Sequence, residues 1–145
     1  RLREFDGITS LACSDERMVA TDMNAPFVIV NVDAGGNVST FDPELLSVHT
    51  ERFGDFAFGN VRQDSLLSLT ANPKFQRVQA EIQAGVEACR GSCAYFGLCG
   101  GGAGSNKYWE HGRFDATVTQ HCRYRTQLVA DVVLEGMEKA LGLVA

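Results

Sequence analysis

The sequence lacks long apolar runs, an excess of positive charge, internal repeats and low-complexity tracts. Without an apolar run of sufficient length we expect no membrane span, and we expect no signal peptide. The formal net charge of −5 disfavours general binding to nucleic acids or to anionic membranes. With 145 residues, of which 45% are hydrophobic and 21% charged, the chain is expected to form one globular domain.

Cysteine is scarce outside one region. The chain has five cysteines, an odd number, and no feature marks it as secreted. We therefore expect a cytoplasmic location, where thiols stay reduced and serve metals or catalysis. Because the sequence begins at Arg1 and not at methionine, we expect a fragment or a processed product.

Four of the cysteines follow the pattern Cys89-x3-Cys93-x5-Cys99-x22-Cys122. Irregular short spacings with one distant partner suit a [4Fe–4S] cluster, because loops direct four thiolates tetrahedrally better than regular elements do. A structural zinc site usually has a tight C-x2-C knuckle that is repeated later, and the odd count argues against disulfides. Zinc and unrelated buried thiols stay open as alternatives on spacing alone.

Local patterns predict an α+β fold. Residues 26–33 and 38–41 are expected to form an antiparallel β-hairpin around a turn at residues 34–37. Asn72 followed by Pro73 predicts the start of a helix with the apolar stripe Phe75, Val78, Ile82 and Val86.

Three further helices are expected. One is capped by Asp64 or Ser65, one covers residues 105–110, and the longest covers about residues 119–141. The predicted buried face of this last helix consists of Leu128, Val129, Val132, Val133, Met137, Ala140 and Leu141.

The residues around the cysteines resemble a known domain. The stretch CRGSCAYFGLCGGG, followed by SNKYWE and later by HCR, is similar to the SPASM domain, the C-terminal auxiliary-cluster extension of many radical SAM enzymes. The upstream stretches VDAGGNVSTFDPELL and FGDFAFGNV resemble the subgroup that matures ribosomal peptides, which includes cyclophane-forming and glycine-rich-repeat maturases. The resemblance extends from about residue 26 to residue 138. We interpret residues 1–25 as a linker or the tail of a preceding domain, and residues 26–145 as the SPASM-like domain.

The sequence departs from the complete SPASM pattern, C-x2-C-x5-C-x3-C and then a distant cysteine. The first spacing here is one residue longer, the next expected cysteine falls on Ala103, and the hairpin ends in Thr40 and Phe41 instead of a cysteine. The resemblance implies that the first auxiliary cluster is lost. It also implies that one [4Fe–4S] cluster is bound by Cys89, Cys93, Cys99 and Cys122. Cys13 stands alone, as a relic of the lost site or as a structural thiol.

The chain has no Cx3Cx2C motif, which binds the catalytic cluster of radical SAM enzymes. The resemblance implies that S-adenosylmethionine acts only through a separate or missing radical SAM barrel domain. That barrel and a precursor peptide are the expected partners, and no catalytic residue is assigned. The expected role is structure and electron transfer during oxidative cross-linking of a ribosomally made peptide. A non-enzymatic binding or scaffolding module, stapled by the cluster or by zinc, is the alternative, and a small electron carrier is a third.

The surroundings of the cluster are also predicted. Arg90 and Arg123 adjoin ligands in the sequence and are expected to stabilise the reduced form, together with backbone amides of residues 100–102. Tyr95 and Phe96 are expected to keep water away from the cluster. The hairpin is expected to offer an edge to an extended substrate peptide.

Overall fold

The computed structural model describes residues 3–143 and contains two small antiparallel sheets beside several helices, an α+β arrangement. In chain order the strands are β1 (Val30–Val32), β2 (Asn37–Thr40), β3 (His49–Thr50), β4 (Gly54–Asp55) and β5 (Gly59–Asn60). One sheet has the order β1-β2-β5, and the other pairs β3 with β4.

The predicted hairpin is formed by β1 and β2, with Val30 opposite Thr40. Its first strand begins later than expected, because residues 26–28 form a turn in which Phe27 has a φ of 60°. The backbone N–H of Phe27 donates to Thr40 Oγ1 at 2.7 Å, which ties this turn to the hairpin. The hairpin loop closes on Asp33, whose Oδ1 accepts from the N–H groups of Gly35 and Asn37.

The helices follow the predicted order, with two additions, one at the start of the chain and one between Cys93 and Gly100. They are α1 (Arg3–Ala12), α2 (Leu66–Leu69), α3 (Pro73–Ser92), α4 (Phe96–Cys99), α5 (Gly104–His111), α6 (Gln120–Cys122) and α7 (Leu128–Ala140). A π-helical stretch, Arg123–Gln127, joins α6 to α7, so the C-terminal helix is nearly continuous, as predicted. No helix within residues 3–143 has both the length and the apolar character needed to cross a membrane.

Helix starts were predicted well because their caps are local. Asn72 caps α3 through its side chain, which accepts from the N–H of Lys74, and Pro73 occupies the first turn. Ser65 caps α2 by accepting from the N–H of Ser68. The predicted stripe on α3 is buried along its whole length. It packs against an aromatic core that is formed by Phe41, Phe53, Phe56, Phe58, Tyr108 and Phe114.

A second, smaller core joins the two ends of the described chain. The helix α1 lies in the segment that the sequence analysis interpreted as a linker or tail, and it packs Ile8 against Ala130 and Val133 of α7. The predicted buried face of α7 is therefore wrong in part. Leu128, Val132 and Leu141 are 53%, 46% and 70% exposed, and Ala140 is exposed too. The reason is that α1 covers only a narrow stripe of α7.

Candidate metal centre

The four cysteines predicted as ligands line one cavity of about 350 Å³. Cys89 lies near the end of α3 and Cys93 is the cap residue that follows it. Cys99 ends α4, and Cys122 ends α6. Cys13 is exposed and does not line this cavity. The fold therefore brings together residues that are far apart in the sequence.

Two breaks in the helices turn Cys99 back towards Cys89. The first is at Cys93, where the backbone becomes extended while its N–H still donates to the carbonyl of Cys89 at 2.9 Å. The second is at Gly100, a left-handed cap whose N–H donates to the carbonyl of Phe96 at 2.8 Å. The single turn of α4 between these breaks places Cys99 on the cavity wall.

Gly100, Gly101 and Gly102 form a left-handed run with φ values of 59°, 95° and 68°. A side chain at Gly100 would lie 2.7 Å from the backbone of Ala20, so the glycine is needed for space as well as for conformation. The backbone amides of Gly101 and Gly102 lie near the Cys99 sulfur and act to lower its pKa. The N–H of Gly102 also donates to the carbonyl of Cys99 at 3.2 Å. Backbone amides directed at sulfur favour its anionic form.

Burial dominates the electrostatics of the thiols. Burial raises the pKa of Cys99, and the nearby Cys93 and Cys89 raise it further. The backbone amides of Gly101 and Gly102 lower it in part. Burial also raises the pKa of Cys122, followed by the effect of Cys99 and Cys93. The mutual influence shows that the four thiols are electrostatic neighbours. The raised pKa of Cys99 and of Cys122 favours their protonated forms in the metal-free chain, and binding of a metal group would release those protons.

A buried cation that was not predicted from the sequence lies at this site. Lys107 on α5 is 3% exposed, and its Nζ donates to the carbonyl of Gly85 at 2.9 Å and lies 3.6 Å from Cys89 Sγ. No carboxylate within residues 3–143 pairs with it. Its only sequence signal was its place in the SNKYWE stretch, which gives no hint of burial.

The two arginines that were predicted to face the site do not line the cavity. Arg90 pairs with Glu87, with 3.1 Å between Nε and Oε2, and its guanidinium lies 4.6 Å from the ring centre of Phe96. Arg123 is exposed. Each arginine follows a predicted ligand by one residue in a helix, which turns its side chain about 100° away from that ligand. The arginines on the cavity wall are Arg3, which is exposed, and Arg125, which forms an ion pair with Glu4.

The remaining walls combine apolar side chains with a few fixed polar groups. Phe96 lines the cavity, as predicted, but Tyr95 does not, because its hydroxyl donates to Asp131 Oδ1 at 2.7 Å on the side of α7. Asn24 is buried and holds the glycine loop by donating to the carbonyl of Gly102. The hydroxyl oxygen of Thr21, on the cavity wall, is buried and has no hydrogen-bond partner within the described part of the chain.

The arrangement of these groups can be compared with the needs of zinc and of a cluster. Among residues 3–143, no three His, Cys, Asp or Glu side chains are placed to hold one metal ion. Around a tetrahedral zinc ion, thiolates stand roughly 3.8 Å apart, given a Zn–S distance of about 2.3 Å. In a [4Fe–4S] cluster each thiolate binds a different iron, so the thiolates stand farther apart. Four thiols on one cavity, with the backbone amides of Gly101 and Gly102 on its wall, supply the donor types that a [4Fe–4S] cluster needs.

Comparison with known proteins finds an uncharacterized relative. The chain is 54% identical over 143 residues to the uncharacterized protein sll1766 of Synechocystis sp.. The aligned region covers 99% of this chain and 36% of that protein, so the chain spans about a third of the length of the curated relative it matches. No family model matches the chain, and no solved structure matches it.

Proposed function

We propose that this chain is an auxiliary [4Fe–4S] domain of the SPASM type, with Cys89, Cys93, Cys99 and Cys122 as the cluster ligands. The observation that carries the proposal is that all four line one cavity, beside the buried ammonium group of Lys107, which has no carboxylate partner within residues 3–143. A buried ammonium group is costly unless an anion compensates it. A [4Fe–4S]²⁺ core with four thiolates is a net anion, so the cavity offers ligands and compensating charge together.

The chain's own residues divide the work between structure and electrostatics. With a cluster bound, the four cysteines would tie the end of α3, the turn of α4 and the start of the C-terminal helix together. The amides of Gly101 and Gly102 stabilise the thiolate of Cys99, and the wall around Phe96 limits contact with water. A bound cluster would supply one-electron transfer. With four protein ligands it would have no iron open to S-adenosylmethionine.

We propose that the domain acts with a radical SAM barrel in oxidative cross-linking of a ribosomally made precursor peptide, in the cytoplasm. Hydrogen abstraction followed by ring closure is a net oxidation, so an electron must leave the substrate, and the auxiliary cluster is the proposed acceptor. The matched region is 36% of the Synechocystis relative, and we place the barrel of that protein in the remainder. The remainder should therefore contain a Cx3Cx2C motif. Its absence there would favour the scaffolding module.

We place the substrate peptide at the edge of the hairpin. The strand β1 is at one end of the sheet order β1-β2-β5, and its Val30 and Val32 are exposed. Such an edge can pair with an extended peptide through backbone hydrogen bonds. Addition of the precursor peptide should shift the amide resonances of β1 in NMR spectra, and unchanged resonances would contradict this placement.

Anaerobic purification followed by iron and sulfide analysis and by EPR of the reduced protein tests the cluster. About four irons and four sulfides per chain are expected. Both should be lost in Cys99→Ala and retained in the control Cys13→Ala, whose side chain is outside the cavity. One zinc ion and no sulfide would reject the redox role and leave a metal-stapled binding module. Circular dichroism of each variant checks that loss of iron is not loss of the fold.

A further inference from the structure

We propose that Lys107 is a positioning residue that raises the reduction potential of the bound cluster by holding a positive charge against its Cys89 side. This inference rests on the proposed cluster binding. The reduced cluster carries one more negative charge than the oxidised one, so a fixed nearby cation favours reduction. Nothing in the inference requires Lys107 to gain or lose a proton.

The structure fixes the ammonium group from several directions. Its Nζ donates to the carbonyl of Gly85 at 2.9 Å. A Cβ at Gly85 would lie 2.3 Å from the carbonyl oxygen of Phe114 and 3.1 Å from Nζ, so the glycine leaves room for both. The start of α5 is held by the buried Asn24, whose Oδ1 accepts from the N–H of Gly104 at 3.0 Å. The charge therefore has a defined position 3.6 Å from Cys89 Sγ.

Other cations near the site differ in exposure or in pairing. Arg125 is at the cavity wall, but its side chain is half exposed and its charge is paired with Glu4 at 2.7 Å. Arg123 is exposed, and Arg90 is paired with Glu87. Solvent and salt screen exposed charges much more than buried ones. Of the cationic side chains that line the cavity in the described chain, Lys107 is the one that is buried.

A purely structural role for Lys107 predicts something different. If the side chain only satisfied the carbonyl of Gly85, its replacement would change stability and leave the potential unchanged. Lys107→Gln keeps a hydrogen-bond donor and removes the charge, whereas Lys107→Met removes both. Lys107→Arg keeps the charge. Comparison of the three variants separates the charge from the hydrogen bond.

The experiment measures iron and sulfide first and then the midpoint potential by anaerobic titration monitored by EPR. Arg123→Met is the matched control, since it removes one positive charge next to Cys122 in sequence but outside the cavity. We expect Lys107→Gln and Lys107→Met to bind the cluster with a clearly more negative midpoint potential. Lys107→Arg and Arg123→Met are expected to stay close to the wild-type value.

Three results would overturn the inference. The first is a midpoint potential in Lys107→Gln and Lys107→Met equal to that of Arg123→Met. The second is a shift in Lys107→Met alone, which would assign the effect to the hydrogen bond. The third is loss of the cluster from both neutral variants, which would show that Lys107 is needed for cluster assembly and not for setting the reduction potential. In the first two cases the proposed cluster still stands, whereas a wild-type protein without iron and sulfide rejects the proposed function itself.

Discussion

Replacement of Gly100 by alanine is expected to destabilise the protein more than the same change at Gly102. Both residues have left-handed backbones, with φ values of 59° and 68°, and alanine pays about 1–2 kcal/mol for that conformation. A Cβ at Gly102 would meet no atom within 4 Å. At Gly100 it would lie 2.7–2.8 Å from three backbone atoms of Ala20, which cannot rotate away. Overpacking of this kind adds about 1–3 kcal/mol.

The summed cost is about 2–5 kcal/mol at Gly100 and about 1–2 kcal/mol at Gly102. In a chain of this size each kcal/mol lowers the melting temperature by roughly 2–4 °C. Thermal unfolding followed by circular dichroism measures both variants, with Gly112→Ala as a control because that glycine is also left-handed and open to solvent. Equal losses of stability in all three variants would refute the packing of the glycine loop on Ala20.

Three further outcomes are expected from other parts of the structure. The metal-free protein should lose stability as pH rises above about 8.5, the ordinary thiol pKa. The reason is that burial raises the pKa of Cys99 and Cys122, so above that pH the unfolded chain binds fewer protons than the folded chain does. Urea unfolding at several pH values checks this, and an equal slope in a variant with both thiols replaced by alanine would contradict it. Asn24→Ala should lower the free energy of unfolding, measured in urea, by about 1–3 kcal/mol for each buried group that it leaves unpaired, namely the carbonyl of Gly102 and the N–H of Gly104. A change within error of zero would contradict the role of Asn24 in holding the glycine loop. Leu128→Ala should change the free energy of unfolding by less than about 0.5 kcal/mol, because Leu128 is exposed. Ala130→Leu should lower it by about 1–3 kcal/mol, because the larger side chain would overpack against α1, and a larger loss in Leu128→Ala would refute the α1–α7 packing.

Local signals in the sequence were sufficient to predict several helices and their starts. The Asn72–Pro73 start of α3 and the Ser65 cap of α2 depend on residues within one helical turn, so their chemistry is visible without the fold. The stripe on α3 was predicted correctly because that helix packs one face on a core of large aromatic rings. The site of four cysteines was found from spacing, and the structure brings all four to one cavity.

The errors concern contacts between segments that are distant in the sequence. The burial of α7 depends on α1, whose apolar residues Phe5, Ile8 and Leu11 recur at helical spacing, a local signal that was overlooked. Arg90 and Arg123 were favoured because they adjoin ligands, although neighbours in a helix point in different directions. Lys107 is 18 residues from Cys89, and only the packing of α5 on α3 at Gly85 brings it to the site.

Mössbauer spectroscopy of the anaerobically purified protein, enriched in ⁵⁷Fe, tests the central claim most directly. The account predicts that the iron is present as [4Fe–4S]²⁺, with all sites in a sulfur environment and no change when S-adenosylmethionine is added. A mononuclear iron signal, a [2Fe–2S] signal or an iron site that responds to S-adenosylmethionine would contradict a cluster bound by Cys89, Cys93, Cys99 and Cys122.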